Sequence, residues 1–295
     1  MYKPTGILPA MVTPMHKDGS IDEESLCAQV RRHHQSGVHG IFVLGTNGEF
    51  YALQEEEKIR VMELTVKENA HKLPICAGIG CITTAQTISL AHKAQEIGVD
   101  ALSVITPYFG MVSQKALTAH YLSVARNTDL PIILYNIPAR TGVSISYQTL
   151  EALAKEPNIV AIKDSSGNFD NTLRYLECTD HQFHVLAGND SLILSTLMAG
   201  GKGAIAATAN LFPHQVSQIY ESFQSGDIAR ATQIQNGLRA IRDCFALGNP
   251  NTVIKYTTNL LGHGVGPVRE PFQGDSETWA AVIGKVLETN YSDWC

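Results

Sequence analysis

No run of apolar residues in this sequence approaches the roughly 20 that a membrane-spanning helix needs. The amino-terminal stretch MYKPTGILPAMVTPMHKDGS contains prolines, and its apolar run is too short for a secretory signal peptide. Only 17% of the 295 residues are charged, the net charge is −6, and no basic stripe is present. We therefore expect that the protein binds neither membranes nor nucleic acid.

The sequence also lacks the cysteine and histidine spacings that are typical of disulfide frameworks and metal sites. The 11 histidines include no HExxH pair and no Cys/His ligand spacing, and the glycine pattern AGIGC is too short for dinucleotide binding. The cysteines form no CxxC pair and no regular framework, which predicts reduced thiols in a cytoplasmic protein. The six cysteines are Cys27, Cys76, Cys81, Cys178, Cys244 and Cys295.

What the sequence contains instead is a regular alternation of short apolar runs with helical segments. Such runs are typical of parallel strands that are covered on both faces. Helical segments stop at glycines such as Gly37 and Gly98, or begin at a capping residue such as Ser146. Eight repeats predict an α/β fold, a (β/α)8 TIM barrel, with a doubly wound open sheet as the alternative. The runs begin at Ile7, Gly40, Leu73, Ala101, Pro131, Asn158, His184 and Gly203.

The strands cease after about residue 212. The stretch from Phe212 to Phe245 is predicted to form two helices broken at SGD, and SETWAAVIGKVLE to form a last helix. We predict a barrel catalytic domain over residues 1–212. Residues 213–295 are predicted to form a C-terminal helical extension, which comprises the last barrel helix and appended helices concerned with assembly.

In the sixth segment, NIVAIKDSSGN, the apolar run IVAI leads directly into Lys163. Barrels of this class place their active site at the carboxyl ends of the strands. Alternation puts Ile159, Ala161 and Lys163 on one face, where small Ala161 leaves room for the lysine stem. A neutral lysine amine can form a Schiff base with a carbonyl, and apolar walls disfavour the charged form. The alternative is a snorkelling or ion-paired side chain, with Asp164 as the candidate partner.

Two further motifs follow the second and fifth runs. In LGTNGEFYAL, Gly45 and Gly48 permit a tight turn whose backbone N–H groups suit a carboxylate. In YNIPARTG, alternation turns Tyr135 inward, where a phenol can transfer protons, and Arg140 lies at the rim with a fork that suits a carboxylate. Each also has a purely structural interpretation as a common glycine turn, a core tyrosine or a solvent-facing arginine.

Taken together, G-T-N-G-E, L-Y-N-I-P-A-R-T-G and I-K-D-S-S-G resemble the dihydrodipicolinate synthase / N-acetylneuraminate lyase family of class I aldolases over essentially the whole chain. The resemblance implies three catalytic residues: Lys163 condenses with pyruvate or another 2-oxo acid, Tyr135 shuttles protons, and Thr46 hydrogen-bonds to Tyr135. It also implies an enzyme that needs no metal or organic cofactor and that forms a homotetramer, a dimer of dimers.

The resemblance also supplies a set of substrate contacts. The backbone amides of Thr46 and Asn47 match those that bind the 2-oxo acid carboxylate. Arg140 matches the arginine that dihydrodipicolinate synthases use for the carboxylate of the aldehyde. The expected substrate-binding residues are Thr46, Asn47, Arg140, Gly188, Asn189 and Ile205.

Two positions depart from the synthase pattern. Those synthases carry TPYY, whose second tyrosine reaches the neighbouring subunit's site and completes a proton relay, whereas this chain has TPYF. Phe109 therefore has no hydroxyl to relay a proton, and adjacent Tyr108 is expected to point the other way, although both are predicted to lie between subunits. Asn47 replaces the second threonine of the synthases' GTTGE.

The first predicted function is therefore the reversible cleavage of a hydroxylated 2-oxo acid to pyruvate and an aldehyde. The substrate would be a 2-keto-3-deoxy sugar acid or 4-hydroxy-2-oxoglutarate. The main alternative is a dihydrodipicolinate (4-hydroxy-tetrahydrodipicolinate) synthase, which condenses pyruvate with aspartate semialdehyde. A 2-keto-3-deoxy acid dehydratase and a non-catalytic 2-oxo acid binding protein are the remaining alternatives.

Overall fold

The computed structural model describes residues 1–294, and its centre is a nearly closed barrel of eight parallel strands. Each strand coincides with one of the eight apolar runs, so the predicted TIM barrel is confirmed. Strands β1 and β8 pair directly, and a single bridge between Ala10 and Phe42 joins β1 to β2. The strands are β1 Gly6–Pro9, β2 Ile41–Val43, β3 Ile75–Gly78, β4 Ala101–Ile105, β5 Ile132–Asn136, β6 Ile159–Asp164, β7 His184–Ala187 and β8 Gly203–Ala206.

Helices follow the strands and surround them. Asp22, Thr83 and Ser146 each accept a backbone hydrogen bond at the first turn of the helix that follows them, which satisfies an N–H that has no partner within the helix. The helices are α1 Glu23–Gln35, α2 Glu55–Asn69, α3 Thr84–Ile97, α4 Gln114–Ala125, α5 Pro138–Thr141, α6 Tyr147–Leu153, α7 Phe169–Glu177, α8 Ile193–Met198, α9 Pro213–Gln224, α10 Ile228–Gly237, α11 Arg239–Asp243, α12 Pro250–Leu260 and α13 Ser276–Asn290.

A β-bulge in β6 changes which of its side chains face the barrel interior. Ile132 pairs with Ile159, but the next residue of β5, Ile133, pairs with Ala161, so Val160 is an extra residue. Val160 and Ala161 both pack in the inner cluster, whereas Ile159 packs in the outer one. The prediction that Ile159 shares a face with Lys163 is therefore wrong, because strict alternation fails across a bulge.

The C-terminal region contains a helix that the sequence patterns did not predict. Helix α9 ends and α10 begins on either side of SGD, as predicted, but the predicted second helix is divided at Leu238 into α10 and α11, and α12 is an additional helix. A local signal was present, since Asn249 precedes Pro250 and proline is favoured in the first helical turn. The helices of this region share one hydrophobic cluster with the outer faces of β1 and β8, while the division at residue 212 stays a prediction.

Within residues 1–294, no helix is long and apolar enough to cross a membrane. The five cysteines of that range are free thiols. Cys295 lies outside the described residues, so its predicted reduced state stays a prediction.

Four histidines make the fold sensitive to acid. Burial lowers the pKa of His33, His120 and His184, and it lowers that of His263 to about 4. Among residues 1–294, neither ring nitrogen of buried His33 has a hydrogen-bond partner. The unfolded chain takes up these protons near pH 6.5, while the folded chain takes them up only at lower pH. The stability contributed by the neutral rings is thus complete above about pH 6.5 and is lost as the pH falls.

We expect the free energy of unfolding to decrease between pH 7.5 and 5.5, by at most about 1.4 kcal/mol per pH unit for each histidine. Urea titrations at several pH values measure this slope. The slope should be shallower in a His33→Gln variant than in the wild type, while mutation of exposed His71 to Gln should leave it unchanged. Identical slopes for the wild type and His33→Gln would contradict this account.

Candidate active site

A cavity of about 410 Å³ opens at the carboxyl ends of the strands. It brings together every residue that the sequence predicts to be catalytic or substrate-binding, which agrees with the usual position of active sites in this fold. These residues are Thr46, Asn47, Tyr135, Arg140, Lys163, Gly188, Asn189 and Ile205. Their chemical roles stay predictions, but their convergence on one cavity is a feature of the fold.

Lys163 lies beside Tyr135 because β5 and β6 are parallel and pair these two residues directly. The lysine is 4% exposed, and its Nζ lies 4.2 Å from the ring centroid of Tyr135 and 5.1 Å from that of Phe42. Within residues 1–294 the amine has no hydrogen-bond or ion-pair partner. The side chain is therefore enclosed by aromatic rings, and no carboxylate of the described chain neutralises its amine.

Asp164, the candidate ion-pair partner, is occupied elsewhere. Its carboxylate accepts hydrogen bonds from the side chains of Asn136, Asn171 and Thr172, at 3.0, 3.1 and 2.8 Å. The backbone and hydroxyl of Ser166 add two more at 3.0 Å each. These donors satisfy the buried carboxylate fully, so an Asp164–Lys163 ion pair is not formed.

Glycine at position 188 preserves the space around the lysine. A Cβ added to Gly188 would overlap Oγ of Ser165 and would come within 3.0 Å of Cε of Lys163. Ser165 also lines the cavity, and its buried Oγ has no hydrogen-bond partner within the described chain. Sequence reasoning missed Ser165, although its position two residues after Lys163 on the same strand end was a usable signal.

The turn after β2 places Thr46 and Asn47 against the same cavity. Thr46 Oγ1 lies 3.2 Å from the hydroxyl oxygen of Tyr135, a hydrogen bond in which either oxygen can donate. Leu44 and Glu49 both adopt a φ of 57°, a left-handed backbone conformation that is uncommon for residues other than glycine. In the described part of the chain, the N–H groups of Thr46 and Asn47 donate to no protein acceptor. They are available to bind an anion.

A buried ion pair holds this turn in place. Lys255 Nζ of α12 lies 2.8 Å from Glu49 Oε1, and both side chains are 1% exposed. The other carboxylate oxygen of Glu49 accepts the backbone N–H of Arg269 at 2.9 Å. Burial lowers the pKa of Lys255, and the Glu49 carboxylate opposes that shift. The turn that carries Thr46 is therefore fastened to the C-terminal region.

The C-terminal region also forms one wall of the cavity. Arg140 lies on α5 at the rim and donates from Nη2 to the side-chain oxygen of Asn249 at 3.1 Å. Sequence reasoning missed the residues of this wall because it treated the region as an appendage concerned with assembly. They are Arg242, Phe245, Pro250, Asn251 and Ile254.

Tyr108 and Phe109, the predicted inter-subunit residues, do not line the cavity. Tyr108 is half-buried with its ring edge-on to Phe50 at 5.8 Å, whereas Phe109 is 97% exposed and has a φ of 72°. Within residues 1–294, Thr46 is the one hydrogen-bond partner of the Tyr135 hydroxyl. The place of Tyr108 and Phe109 between subunits stays a prediction.

No set of three or more His, Cys, Asp or Glu side chains in the described chain could hold a metal ion. The arrangement of residues instead suits covalent chemistry. It combines a buried amine, a phenol within reach of a threonine hydroxyl, and free N–H groups for a carboxylate.

Comparison with known proteins gives concordant matches over nearly the whole chain. The model of the dihydrodipicolinate synthetase family matches residues 3–289. The 4-hydroxy-tetrahydrodipicolinate synthase of Listeria innocua is 36% identical over 290 residues, which cover 96% of this chain and 97% of that protein. The crystal structure of dihydrodipicolinate synthase from Aquifex aeolicus superposes with a TM-score of 0.93 at 33% identity and covers 97% of each chain.

A further match is the crystal structure of YagE, a prophage protein from E. coli K12, in complex with pyruvate. YagE belongs to the dihydrodipicolinic acid synthase family, and the match has a TM-score of 0.94 at 30% identity over 99% of each chain. The names of the relatives support the synthase alternative better than the first predicted function, cleavage of a hydroxylated 2-oxo acid. What the two have in common, a pyruvate-dependent class I aldolase, is confirmed.

We expect that Lys255→Met lowers the free energy of unfolding by about 3–5 kcal/mol, because it leaves the Glu49 carboxylate buried without a cation. Denaturant unfolding measures this loss. Mutation of exposed Lys285 to Met is the matched control and should change stability by less than about 0.5 kcal/mol. The double variant Glu49→Gln/Lys255→Met should be more stable than Lys255→Met. A double variant as unstable as the single one would refute the assigned pair.

Proposed function

The chain belongs to the dihydrodipicolinate synthetase family of pyruvate-dependent lyases, and we propose that it condenses pyruvate with an aldehyde that carries a carboxylate. Aspartate semialdehyde, the aldehyde of 4-hydroxy-tetrahydrodipicolinate synthases, is the proposed second substrate. The observation that carries this proposal is the buried, unpaired amine of Lys163 beside Tyr135 in a cavity that Arg140 also lines.

The first stage of the proposed reaction joins pyruvate to Lys163. The amine nitrogen attacks the 2-oxo carbon, and the resulting carbinolamine loses its oxygen as water to leave a protonated imine. Tyr135 supplies and recovers the protons of these steps, and its hydrogen bond to Thr46 Oγ1 orients its hydroxyl. The free N–H groups of Thr46 and Asn47 bind the pyruvate carboxylate.

The second stage forms the carbon–carbon bond. The cationic imine withdraws electrons, so the pyruvate methyl group gives a proton to the Tyr135 oxygen, which donated one in the first stage, and becomes an enamine. The enamine carbon attacks the aldehyde carbon, and Tyr135 passes the proton to the aldehyde oxygen. Addition of water to the new imine then releases the product and restores the amine. Arg140 binds the aldehyde's carboxylate, because its guanidinium reaches the cavity and contacts only a neutral amide, that of Asn249, in the described chain.

Cleavage of a hydroxylated 2-oxo acid is the second candidate function, since every step above is reversible. Two observations favour it. Phe109 cannot extend the proton relay from Thr46 and Tyr135, and the cavity wall carries the amides of Asn47, Asn189 and Asn251, which suit the hydroxyl groups of a sugar acid.

The proposed working form is a cytoplasmic homotetramer, a dimer of dimers. Support for a subunit contact comes from the nearly full exposure of Phe109 and the 77% exposure of neighbouring Met111. Large apolar side chains exposed side by side are characteristic of protein contacts. The free thiols of the described cysteines suit a reducing compartment.

Pyruvate followed by borohydride should attach one pyruvate-derived group irreversibly to each chain at Lys163, as intact and peptide mass spectrometry can detect. Lys163→Met should show no attachment. Tyr135→Phe should lower kcat by about 100- to 10,000-fold because it removes the proton donor. Mutation of Tyr147, a partly exposed tyrosine outside the cavity, to Phe should leave kcat unchanged. An unlabelled wild-type protein would refute the Schiff-base mechanism.

Turnover assays separate the two candidate functions. With pyruvate and aspartate semialdehyde, we expect condensation at a higher kcat/KM than cleavage of any 2-keto-3-deoxy sugar acid or of 4-hydroxy-2-oxoglutarate. Arg140→Ala should raise the KM for aspartate semialdehyde and leave borohydride labelling with pyruvate intact. Faster cleavage of a keto-deoxy acid than condensation would replace the first candidate with the second.

A further inference from the structure

Arg242 is a second arginine at the cavity mouth, and no strand-end motif pointed to it. It belongs to α11 and lines the cavity that contains Lys163. It also lines an adjoining polar cavity of about 290 Å³, together with Ser191, Gln235 and Arg239. Its guanidinium therefore stands where a substrate longer than pyruvate would extend from the reaction centre.

Within the described chain, the guanidinium of Arg242 has no hydrogen-bond or ion-pair partner. Its Nε is buried without a hydrogen bond, and within residues 1–294 none of its nitrogens joins an ion pair. Its Cζ lies 5.8 Å from the ring centroid of Phe245. Neighbouring Arg239, by contrast, faces Asp243 at 4.0 Å. Arg242 is half-buried and its two Nη groups have no acceptor in the described chain, so an anion in either cavity can bind them.

The charges around Arg242 favour an anion. Asp190 is the single carboxylate among the described residues that line the main cavity, and it is 2% exposed. Its two oxygens accept the backbone N–H groups of Ala207 and Thr208, at 3.1 and 2.6 Å. The carboxylate is thus already satisfied and turned toward the loop after β8. Arg140 and Arg242 thus give the cavity mouth a positive charge, and a concave site lined by one sign of charge attracts the opposite sign.

We propose that Arg242 is a specificity-determining residue that binds an anionic group, a carboxylate or a phosphate, at the end of the second substrate remote from its reacting carbonyl. This inference rests on the proposed function, in which Lys163 holds the 2-oxo acid. Arg140 and Arg242 belong to different elements, α5 and α11, and can hold two separate anionic groups. The site therefore also accepts an aldehyde that carries one anionic group more than aspartate semialdehyde, with one group at Arg140 and the other at Arg242.

The test measures binding to the second subsite alone. Reduction of the pyruvate adduct with borohydride blocks Lys163, and calorimetry then measures the binding of succinate, glycerol 3-phosphate and neutral glycerol. We expect at least one anion to bind the wild type and to bind Arg242→Gln about 10- to 100-fold more weakly, since a charge-assisted hydrogen bond is lost. Arg242→Lys should recover part of that loss. Weakening of succinate binding identifies a carboxylate as the ligand, and weakening of glycerol 3-phosphate binding identifies a phosphate.

The matched control is Arg230→Gln on α10, whose guanidinium is bonded to Gln233 outside both cavities, and it should bind as the wild type does. In turnover, Arg242→Gln should raise the KM for an anionic aldehyde with kcat nearly unchanged, a split that a misfolded site would not produce. Equal affinity of wild type and Arg242→Gln, or no anion binding by the wild type, overturns the inference. A wild type that pyruvate and borohydride do not label refutes the proposed function instead, and calorimetry on the unreduced protein then still tests Arg242.

Discussion

The buried pair of Glu49 and Lys255 is the contact on which the active-site architecture depends most. It joins the turn after β2 to α12, two segments separated by 206 positions in the chain. An ion pair removed from water stays stable only when its geometry is good and its remaining oxygen is hydrogen-bonded. The backbone of Arg269 meets that requirement. The same contact therefore closes the C-terminal region onto the barrel and holds Thr46 near Tyr135.

A second constraint is the parallel register of β5 and β6. It sets Tyr135 beside Lys163 and Asn136 beside Asp164, so reactive and structural side chains alternate along the same two strands. Asp164 points away from the cavity and takes up donors from the helix side, which leaves the amine of Lys163 without a counter-ion. The phenol and the amine meet because of backbone pairing, and neither needs a loop to bring it into position.

The C-terminal region is as much a part of the cavity as the barrel is. Helix α12 contributes Lys255 to the buried pair and Asn251 to the wall, and α11 contributes Arg242. In the proposed reaction, strand ends supply the groups that act on the 2-oxo acid, while α5 and this region supply the basic groups around the second substrate. In barrels of this kind, the strand ends can keep the same reaction chemistry while the elements that cover the barrel mouth change the substrate.

Local patterns in the chain were enough to predict the barrel, since eight apolar runs match eight strands. They also placed Tyr135 and Lys163 at strand ends on the cavity side, while the catalytic roles of these two residues and of Thr46 were implied by the family resemblance and stay predictions. The bulge at Val160, the pairing of Glu49 with Lys255 and the exposure of Arg242 to the cavity were beyond such reasoning. Each depends on which distant segments touch. A bulge depends on the neighbouring strand, and a buried charge acquires its partner from a helix some 200 residues away. Local sequence patterns cannot predict those contacts, because the contacts form only when distant segments of the chain pack together.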